Sequence, residues 1–418
     1  MKPSMTAAWS RPQAGLACVA LAVAGVCGNP VHADARQALR LQVEMAVAAS
    51  SNPALDAATR RAAGAAELTL RVPYALDTER SALAIEAHAN TRTYTTRELE
   101  RARDLGVGMR WSTRSERDAT GASLRLARRA LDDRLEAGTG VFDVTRERDE
   151  GEFALQHVHS WSGTTRAQAS ARGTRIRHDS VEGADDLLDY DVLGAGVRVE
   201  RDLAGEGTGS NTNVTRAVAL DLDATDFRPS ARGTRTRTFS AAASGRWQPT
   251  EALAIQGQGG LSHQRTSAGA TPSERGDTAW VPGFDVTVRY TAPVTEATLG
   301  LARALRPTAA GGLTRNTTVA LDVRHRVRAE GTLHASAAWT RIDASTDGDR
   351  ATSAAARRLA ELEGTTLALQ AGVAWQVLPD ATLDLSWRFA RNDRGDGRAA
   401  HDHTARLALV YRPEGARW

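Results

Sequence analysis

The chain has 418 residues, of which 41% are hydrophobic and 25% are charged, and its formal net charge is +3. This length and composition permit a large core or several domains, and composition alone is compatible with a soluble globular protein. Both cysteines, Cys18 and Cys27, lie near the beginning of the sequence, which excludes a disulfide scaffold or a cysteine metal site in the rest of the chain. Lys2 is the one lysine among 53 Lys and Arg residues, which indicates codon bias in a GC-rich genome.

The beginning of the sequence has the pattern of a secretory signal peptide. Lys2 and Arg11 precede an apolar run from Ala14 to Gly28, and the small residues Val31 and Ala33 provide a cleavage site. The run is shorter than the ~20 residues of a membrane-spanning helix, which makes an uncleaved anchor the weaker alternative. We therefore predict a leader over residues 1–33 and secretion through the inner membrane.

The following sequence alternates between apolar and polar residues, which is the period of a two-faced β-strand. The segment from Thr317 to Val327 places Leu321 and Val323 on one face and charged residues on the other, and Thr382 to Ala390 repeats the pattern. Short turns such as Ala292-Pro293 alternate with long polar connections such as 343–363. This alternation is typical of an up-and-down barrel in a bacterial outer membrane.

We count about 18 antiparallel strands between Ala65 and Arg412, with 16 as the alternative because the region 130–146 is ambiguous. A barrel of this size would enclose water. A soluble propeller or β-helix is the competing all-β fold, but it needs a repeated blade or rung motif, and the sequence has none. The tryptophans favour a membrane, because Trp161, Trp247 and Trp375 precede tight turns, while Trp111, Trp280 and Trp339 are expected toward the loop ends of their strands.

The leader, the alternating strands, the turns at 247–251 and 377–382, and a closing strand over 404–412 together resemble the β-barrel porin 2 family. Members of that family are outer-membrane barrels associated with exopolysaccharide export. The resemblance covers nearly the whole mature chain and implies an outer-membrane location and a transport role. It implies as partners the outer-membrane lipids, the barrel insertion machinery, and exopolysaccharide with its export apparatus. The family offers no catalytic residue and no cofactor to carry over.

Two segments depart from this pattern. Residues 34–64 are rich in alanine and place Leu39, Val43 and Ala46 at helical spacing, which predicts a short periplasmic or plugging helix, with disorder as the alternative. At the other end, Pro413 and Gly415 interrupt any strand that leads to Trp418, so residues 413–418 are expected to form a tail. The predicted organisation is a leader at 1–33, a helical segment at 34–64, a barrel at 65–412 and the tail.

If the apolar face meets lipid, then the polar face lines the pore. Both charge signs occur there with arginine in excess, so the lumen could attract an anionic solute through guanidinium groups, or could simply be a solvated interior without preference. Nucleic acid is not expected as a partner, because the arginines are interspersed with acidic residues. The candidate lumen residues are Arg110, Arg125, Arg198, Arg289, Asp322, Arg324, Arg326, Asp384, Arg388 and Arg406.

Two alternatives to a pore remain open. One is a structural barrel that binds a surface partner through its long loops. The other is a barrel hydrolase, for which His334 and Ser336 share a strand face, although the sequence near them supplies no orienting carboxylate. His401 and His403 lie in a polar segment without an evident third ligand, so no metal site is predicted. We predict a conduit without catalytic, metal or cofactor-binding residues.

Overall fold

The structure is a computed structural model, and it describes residues 36–53, 62–96, 102–130, 147–178, 189–203, 215–230, 235–267, 278–307, 313–344, 363–394, 399–414 and 416–417. The predicted leader lies outside these residues, as do residues 131–146, where the sequence left the strand number open. In the part of the chain that is described, no helix is long and apolar enough to cross a membrane.

Strands make up almost all of the described residues. They are β1 (Arg36–Leu39), β2 (Gln42–Ser50), β3 (Ala63–Asp77), β4 (Ser81–Tyr94), β5 (Ala102–Arg114), β6 (Asp118–Ala130), β7 (Glu147–Ser160), β8 (Thr165–His178), β9 (Tyr190–Leu203), β10 (Thr215–Pro229), β11 (Arg235–Gln248), β12 (Leu253–Ser267), β13 (Thr278–Thr291), β14 (Thr295–Pro307), β15 (Leu313–Arg326), β16 (Gly331–Ala344), β17 (Gly364–Leu378), β18 (Ala381–Arg394), β19 (Ala399–Tyr411) and β20 (Ala416–Arg417).

Strands β2 to β19 form one closed antiparallel barrel. Each strand pairs with the next along the chain, and β19 pairs with β2, where Thr404 lies opposite Ser50 and Tyr411 opposite Val43. The prediction of an up-and-down barrel of 18 strands is therefore confirmed. Side chains fill the interior of barrels of about 8 strands, so a ring of this size encloses a wider space.

The predicted helix at 34–64 is wrong for the residues that the structure describes, because Arg36–Leu39 and Gln42–Ser50 are strands. In β2, Met45 and Val47 are 51% and 58% exposed on one face, while Ala46 is buried on the other. Alanine is compatible with both helical and strand periodicity. The alternation of Val43, Met45 and Val47 on every second position is the pattern of a strand. The barrel therefore begins before the predicted boundary. Residues 54–61 lie outside the described part.

The two short strands extend this closure at one end of the barrel. After a break at Arg40 and Leu41, β1 runs alongside β3, with Leu39 opposite Tyr74. It also pairs with β20, where Ala38 lies opposite Arg417. The predicted tail therefore contains a two-residue strand that pairs with β1.

The two ends of the barrel differ in the lengths of their connections. At one, called the turn end, seven connections have two to four residues, and the exception joins β9 to β10 over residues 204–214. Because the strand number is even, β1 and β20 also lie there. The opposite end, called the loop end, carries the longer connections, including residues 131–146 and 345–363. The predicted alternation of connection lengths thus holds with two exceptions, because the loop-end connection between β18 and β19, residues 395–398, has only four residues.

Four connections at the turn end use the same hydrogen bond. The hydroxyl of Ser115 accepts from the backbone N–H of Asp118 at 3.1 Å, three residues later. Thr78, Ser162 and Thr250 make the equivalent bond at 2.9, 3.1 and 3.1 Å. Serine and threonine favour turns for this reason, since the side chain satisfies a backbone group that leaves the strand ladder.

Asp402 on β19 fastens the seam where the barrel closes. Its Oδ1 accepts hydrogen bonds from the Ser50 hydroxyl at 2.7 Å and the Asn52 backbone N–H at 2.7 Å, and its Oδ2 accepts from the Thr404 hydroxyl at 2.6 Å. The Ser51 hydroxyl donates to Oδ1 at 3.1 Å. The residue is 8% exposed, so this carboxylate replaces its lost water with hydrogen bonds from both sides of the seam.

Candidate functional site

The outer face of the barrel is apolar and open. In β10, Val218, Leu220 and Leu222 are 47%, 55% and 52% exposed, while Ala217 and Ala219 on the opposite face are buried. Large hydrophobic side chains recur in this way around the barrel, which is the surface that a barrel presents to lipid. Aromatic residues border this surface near the turn end at Trp111, Trp161, Trp247, Trp375 and Tyr411, and toward the loop end at Trp280 and Trp339.

One tryptophan lies at the end opposite to the predicted one. Trp111 was expected toward a loop end, but it lies three residues before the end of β5 at the turn end, opposite Leu83 and Ala122. The connection that follows β5, residues 115–117, is one of the short ones. The other five tryptophans occupy the ends that the sequence predicts, so the outer face has an aromatic border at both ends.

A buried cluster identifies the inner face. Ile176, Tyr190 and Phe227 on β8, β9 and β10 form a cluster with Leu313 at the beginning of β15. Four strands separate β10 from β15 in the sheet, so this contact crosses the barrel interior. The Tyr190 and Phe227 rings meet edge-on with centroids 5.5 Å apart. All four residues lie near the loop end.

All ten candidate lumen residues lie on this inner face. Directly paired residues of neighbouring strands share a face, and the ladder can be followed from Ile176 through Glu150, Ala127 and Gly106 to His88. The same ladder, continued around the ring, places on the inner face Arg110, Arg125, Arg198, Arg289, Asp322, Arg324, Arg326, Asp384, Arg388 and Arg406.

Arg198 is the centre of a charge network on β8 to β11. Its guanidinium lies 3.0 Å from Glu200 Oε2 and 3.2 Å from Asp221 Oδ1. Glu200 also pairs with Arg166, and the Ser244 hydroxyl donates to Asp221 at 2.9 Å. Each carboxylate in this network is held by more than one donor. The network therefore presents both charges to the lumen in fixed positions.

Two glycines let a neighbouring ion pair cross a strand. Arg172 on β8 reaches over β9 to Asp223 on β10 at 2.8 Å. The inner face of β9 between them is formed by Gly194 and Gly196, where an added Cβ would lie 2.9 Å from the Arg172 Nε and 2.9 Å from the Asp223 Oδ2. A side chain at either position would occupy the space of the ion pair, so the missing Cβ is what permits the contact.

Arg406 forms a second network at the seam. It pairs with Glu44 on β2 and lies 3.2 Å from Glu67 on β3. Glu67 also pairs with Arg92 on β4. The buried Ala46 lies between β19 and β3 on the inner face, which leaves room for Arg406 to reach across. This network joins four strands around the point of closure.

The candidates divide into paired and unpaired groups. Asp322 and Arg324 lie 3.6 Å apart, and Asp384 lies 3.7 Å from His334. Within the described part of the chain, five candidate arginines make no ion pair and no side-chain hydrogen bond: Arg110, Arg125, Arg289, Arg326 and Arg388. These five guanidinium groups are available to a solute or to water.

A cavity of about 740 Å³ lies against the inner face between β8 and β15. Its wall includes the charges of the Arg198 network together with many neutral hydroxyl and amide side chains. These neutral residues are Gln168, Ser170, Thr225, Thr238, Ser240, Gln256, Gln258 and Ser262. Phe227 and Leu313 of the cross-lumen cluster border it near the loop end. A wall of this kind can hydrogen-bond a hydrated or hydroxylated solute from several sides.

The histidine considered for hydrolysis does not form a catalytic triad. His334 Nδ1 lies 3.7 Å from the Asp384 Oδ2, beyond hydrogen-bond distance, and its Nε2 is buried without a hydrogen-bond partner. Its ring lies over Gly372, where an added Cβ would be 2.1 Å from Nε2. A nucleophilic serine needs a hydrogen bond to such a nitrogen, and His334 makes none among the described residues.

Several residues of these networks are absent from the sequence prediction. Glu44 was assigned to a helix. The sequence does not single out Arg172, because the outer face of β8 consists of small residues, Ala167 to Gly173 on every second position, so its apolar and polar faces contrast weakly. Asp223 lies on β10, whose outer face is clearly apolar, and its role depends on the contact with Arg172. A better signal would have been the pairing of an arginine with a carboxylate two strands away across glycine.

No protein-family model matches the chain, and no curated protein matches its sequence. Similar solved structures include the outer membrane protein opdK from Pseudomonas aeruginosa, with 12% identity and a TM-score of 0.43 over 92% of this chain and 99% of that chain. The ferric-catecholate import receptor Fiu from E. coli is 9% identical with a TM-score of 0.44, over 89% of this chain and 81% of that chain. The alcaligin outer membrane receptor FauA from Bordetella pertussis is 12% identical with a TM-score of 0.42, over 90% and 76%.

Proposed function

We propose that the chain is an outer-membrane pore, a passive water-filled conduit that takes part in exopolysaccharide export and has no catalytic activity. The observation that carries the proposal is the opposition of the two faces of a closed barrel. Large hydrophobic residues are exposed on the outer face, while the inner face carries the charged networks around Arg198 and Arg406. An apolar exterior and a charged interior are the requirements for a barrel that spans lipid and conducts water.

The inner face supports a conduit with local rather than uniform charge. The Arg198 and Arg406 networks pair arginines with carboxylates, so their long-range fields largely cancel. The five unpaired candidate arginines, together with Arg71 and Arg246, add further positive groups to the inner face. A solute with carboxylate groups would meet these guanidinium groups one after another, and neutral stretches would meet the hydroxyl and amide wall of the cavity.

The link to exopolysaccharide depends on the family resemblance of the sequence. Under it, a polymer strand would thread through the lumen past the cross-lumen cluster, and the export apparatus would meet the barrel at the turn end. The barrel insertion machinery would act on the closing strand β19. A deletion strain tests the link: secreted polysaccharide should fall and recover on complementation. Unchanged secretion would contradict the export role and leave a pore for other solutes.

Planar bilayers test the pore directly. The purified protein should give stepwise conductance, and Arg198→Gln should shift ion selectivity toward cations by roughly twofold, because Glu200 and Asp221 lose their shared counter-charge. Arg216→Gln is the matched control, since Arg216 lies on the outer face of β10 opposite Trp247 and should leave selectivity unchanged. Folded protein without conductance would contradict the pore and favour a barrel that acts through its loops.

A further inference from the structure

The outer face near the loop end carries a group of arginines that we call the arginine patch: Arg228, Arg235, Arg237 and Arg265. They belong to β10, β11 and β12 and lie on the same face as the exposed Phe239 and Leu261. Charged groups on this face are costly where they meet the hydrocarbon of a membrane, and less so near its surface. Their position at the loop end places them at the level of the lipid headgroups, if the barrel spans an outer membrane.

Asp226 pairs with two of the four arginines of the patch. Asp226 accepts two hydrogen bonds from Arg235, at 2.5 and 2.7 Å, and one from Arg228 at 2.7 Å. Both of its oxygens are therefore engaged by these two arginines. Arg237 lies directly opposite Asp226 in the strand pairing, but it makes no ion pair with it among the described residues. The patch carries more positive charge than this carboxylate can balance.

Arg237 and Arg265 are the unbalanced pair. They lie directly opposite each other on β11 and β12, both are exposed, and neither has a hydrogen bond or ion pair within the part of the chain that the structure describes. Like charges directly opposite each other destabilise a sheet. An anion between the two guanidinium groups would remove this repulsion, and phosphate matches their fork geometry.

The surroundings of the patch fit a lipid. The next outer-face residues toward the turn end are aromatic. Phe239 lies opposite His263, and His263 lies opposite Trp280. The ring centroids of His263 and Trp280 are 4.8 Å apart. A groove of about 400 Å³ adjoins the patch at Asp226 and Arg228. On the outer face its wall combines five apolar or glycine positions with the charged residues Arg175, Asp191, Asp226 and Arg228. The apolar or glycine positions are Leu124, Gly151, Phe153, Gly173 and Leu193. Such a groove can hold an acyl chain whose headgroup reaches the arginines.

We infer that the arginine patch binds the phosphate groups of an anionic lipid in the outer leaflet, with Arg237 and Arg265 as its main contacts. The inference rests on the proposed outer-membrane location and adds a lipid site that is separate from the lumen. The apolar part of the groove supplies the reason to choose a lipid over a free anion, because inorganic phosphate would gain nothing from Leu124, Phe153 and Leu193.

Binding of bisphosphorylated lipid A tests the inference, with the purified full-length chain in detergent and native mass spectrometry as the readout. Wild type and Arg216→Gln should bind equally, since Arg216 lies on the same face of β10 at the turn end. The double variant Arg237→Gln/Arg265→Gln should bind about tenfold more weakly or worse. Retention of wild-type affinity by the double variant would overturn the inference.

Two further arms use the wild type alone and do not depend on the folding of a variant. Lipid A from which both phosphates have been removed should bind weakly, and equal binding would overturn the phosphate assignment. Inorganic phosphate alone should bind more weakly than the lipid. Equal affinity would overturn the assignment of a lipid as the ligand. Conductance in neutral bilayers, measured in parallel, separates these outcomes from a failure of the pore, because Arg237 and Arg265 do not face the lumen.

Discussion

Adjacent residues of one strand can have opposite tolerance to change, as Gly259 and Gly260 in β12 illustrate. An added Cβ at Gly260 would lie 2.2 Å from the Ala241 carbonyl oxygen and 2.6 Å from the Ala242 Cα. At Gly259, no atom lies within 4 Å of an added Cβ. The first contact is with backbone, which cannot rotate away, so β11 and β12 approach each other closely because Gly260 has no side chain.

We therefore expect Gly260→Ala to lower the free energy of unfolding by roughly 1–3 kcal/mol, the usual cost of overpacking. Gly259→Ala is the matched control and should change the free energy by less than about 0.5 kcal/mol. Urea unfolding of both variants in lipid vesicles, followed by tryptophan fluorescence, measures the difference. Equal stabilities would show that the two strands can separate at Gly260 without cost.

At the scale of the strands, the closing pair β19 and β2 depends on Asp402. Replacement by alanine removes the acceptor for Ser50, Ser51 and the Asn52 backbone N–H. Buried donors without partners cost about 1–3 kcal/mol each, so Asp402→Ala should destabilise the barrel by at least that amount. Asp322→Ala is the control, because its carboxylate is half-exposed and pairs loosely with Arg324 at 3.6 Å.

The measurement is again the free energy of unfolding, together with the fraction of chains that insert into vesicles. Asp402→Ala should reduce both, and Asp322→Ala should leave both near wild type. If the two variants are equally stable, then the backbone ladder between Thr404–Tyr411 and Val43–Ser50 closes the barrel without help from this side chain.

The sequence predicts strands well where the two faces contrast strongly. In β15, Leu321 and Val323 lie on the outer face between inward charges, and the alternation identifies both the strand and its lumen residues. In β2 the contrast is blurred by Ala46, Ala48 and Ala49, which suit a helix as well as a strand. The pairing of β2 with β3 and β19 depends on the whole sheet, and it cannot be predicted from the sequence of β2 alone.

At the scale of the whole molecule, the cross-lumen cluster is the contact that sequence reasoning could not reach. Phe227 and Leu313 belong to strands separated by four others, and their contact depends on the shape of the ring. Similarly, the unbalanced arginines of the patch become visible only once β11 and β12 are aligned. Local sequence patterns predict which face of a strand a residue occupies. Contacts between residues of distant strands can be identified only in the closed barrel.

If the cluster narrows the lumen, then Phe227→Ala should raise single-channel conductance, by roughly 1.5- to 2-fold, because conductance follows the open cross-section of a water-filled pore. Phe239→Ala is the matched control, since Phe239 lies on the outer face of the neighbouring strand and is 57% exposed. Its conductance should equal that of wild type. An unchanged conductance of Phe227→Ala in folded channels would place the narrowest point elsewhere.

The hydrogen bonds that seal β19 to β2 join residues about 350 positions apart in the chain, such as Ser50 and Asp402. Contacts of such separation form late, because the entropy of closing the loop must be met before any of them is gained. Until β19 has been synthesised and has paired with β2, the incomplete sheet has two unpaired edges. Each edge can pair with a strand of another chain. The chain is thus most prone to aggregation in transit, before its final strand arrives. Protection of these strand edges during that interval therefore depends on chaperones that bind the chain before it reaches the membrane.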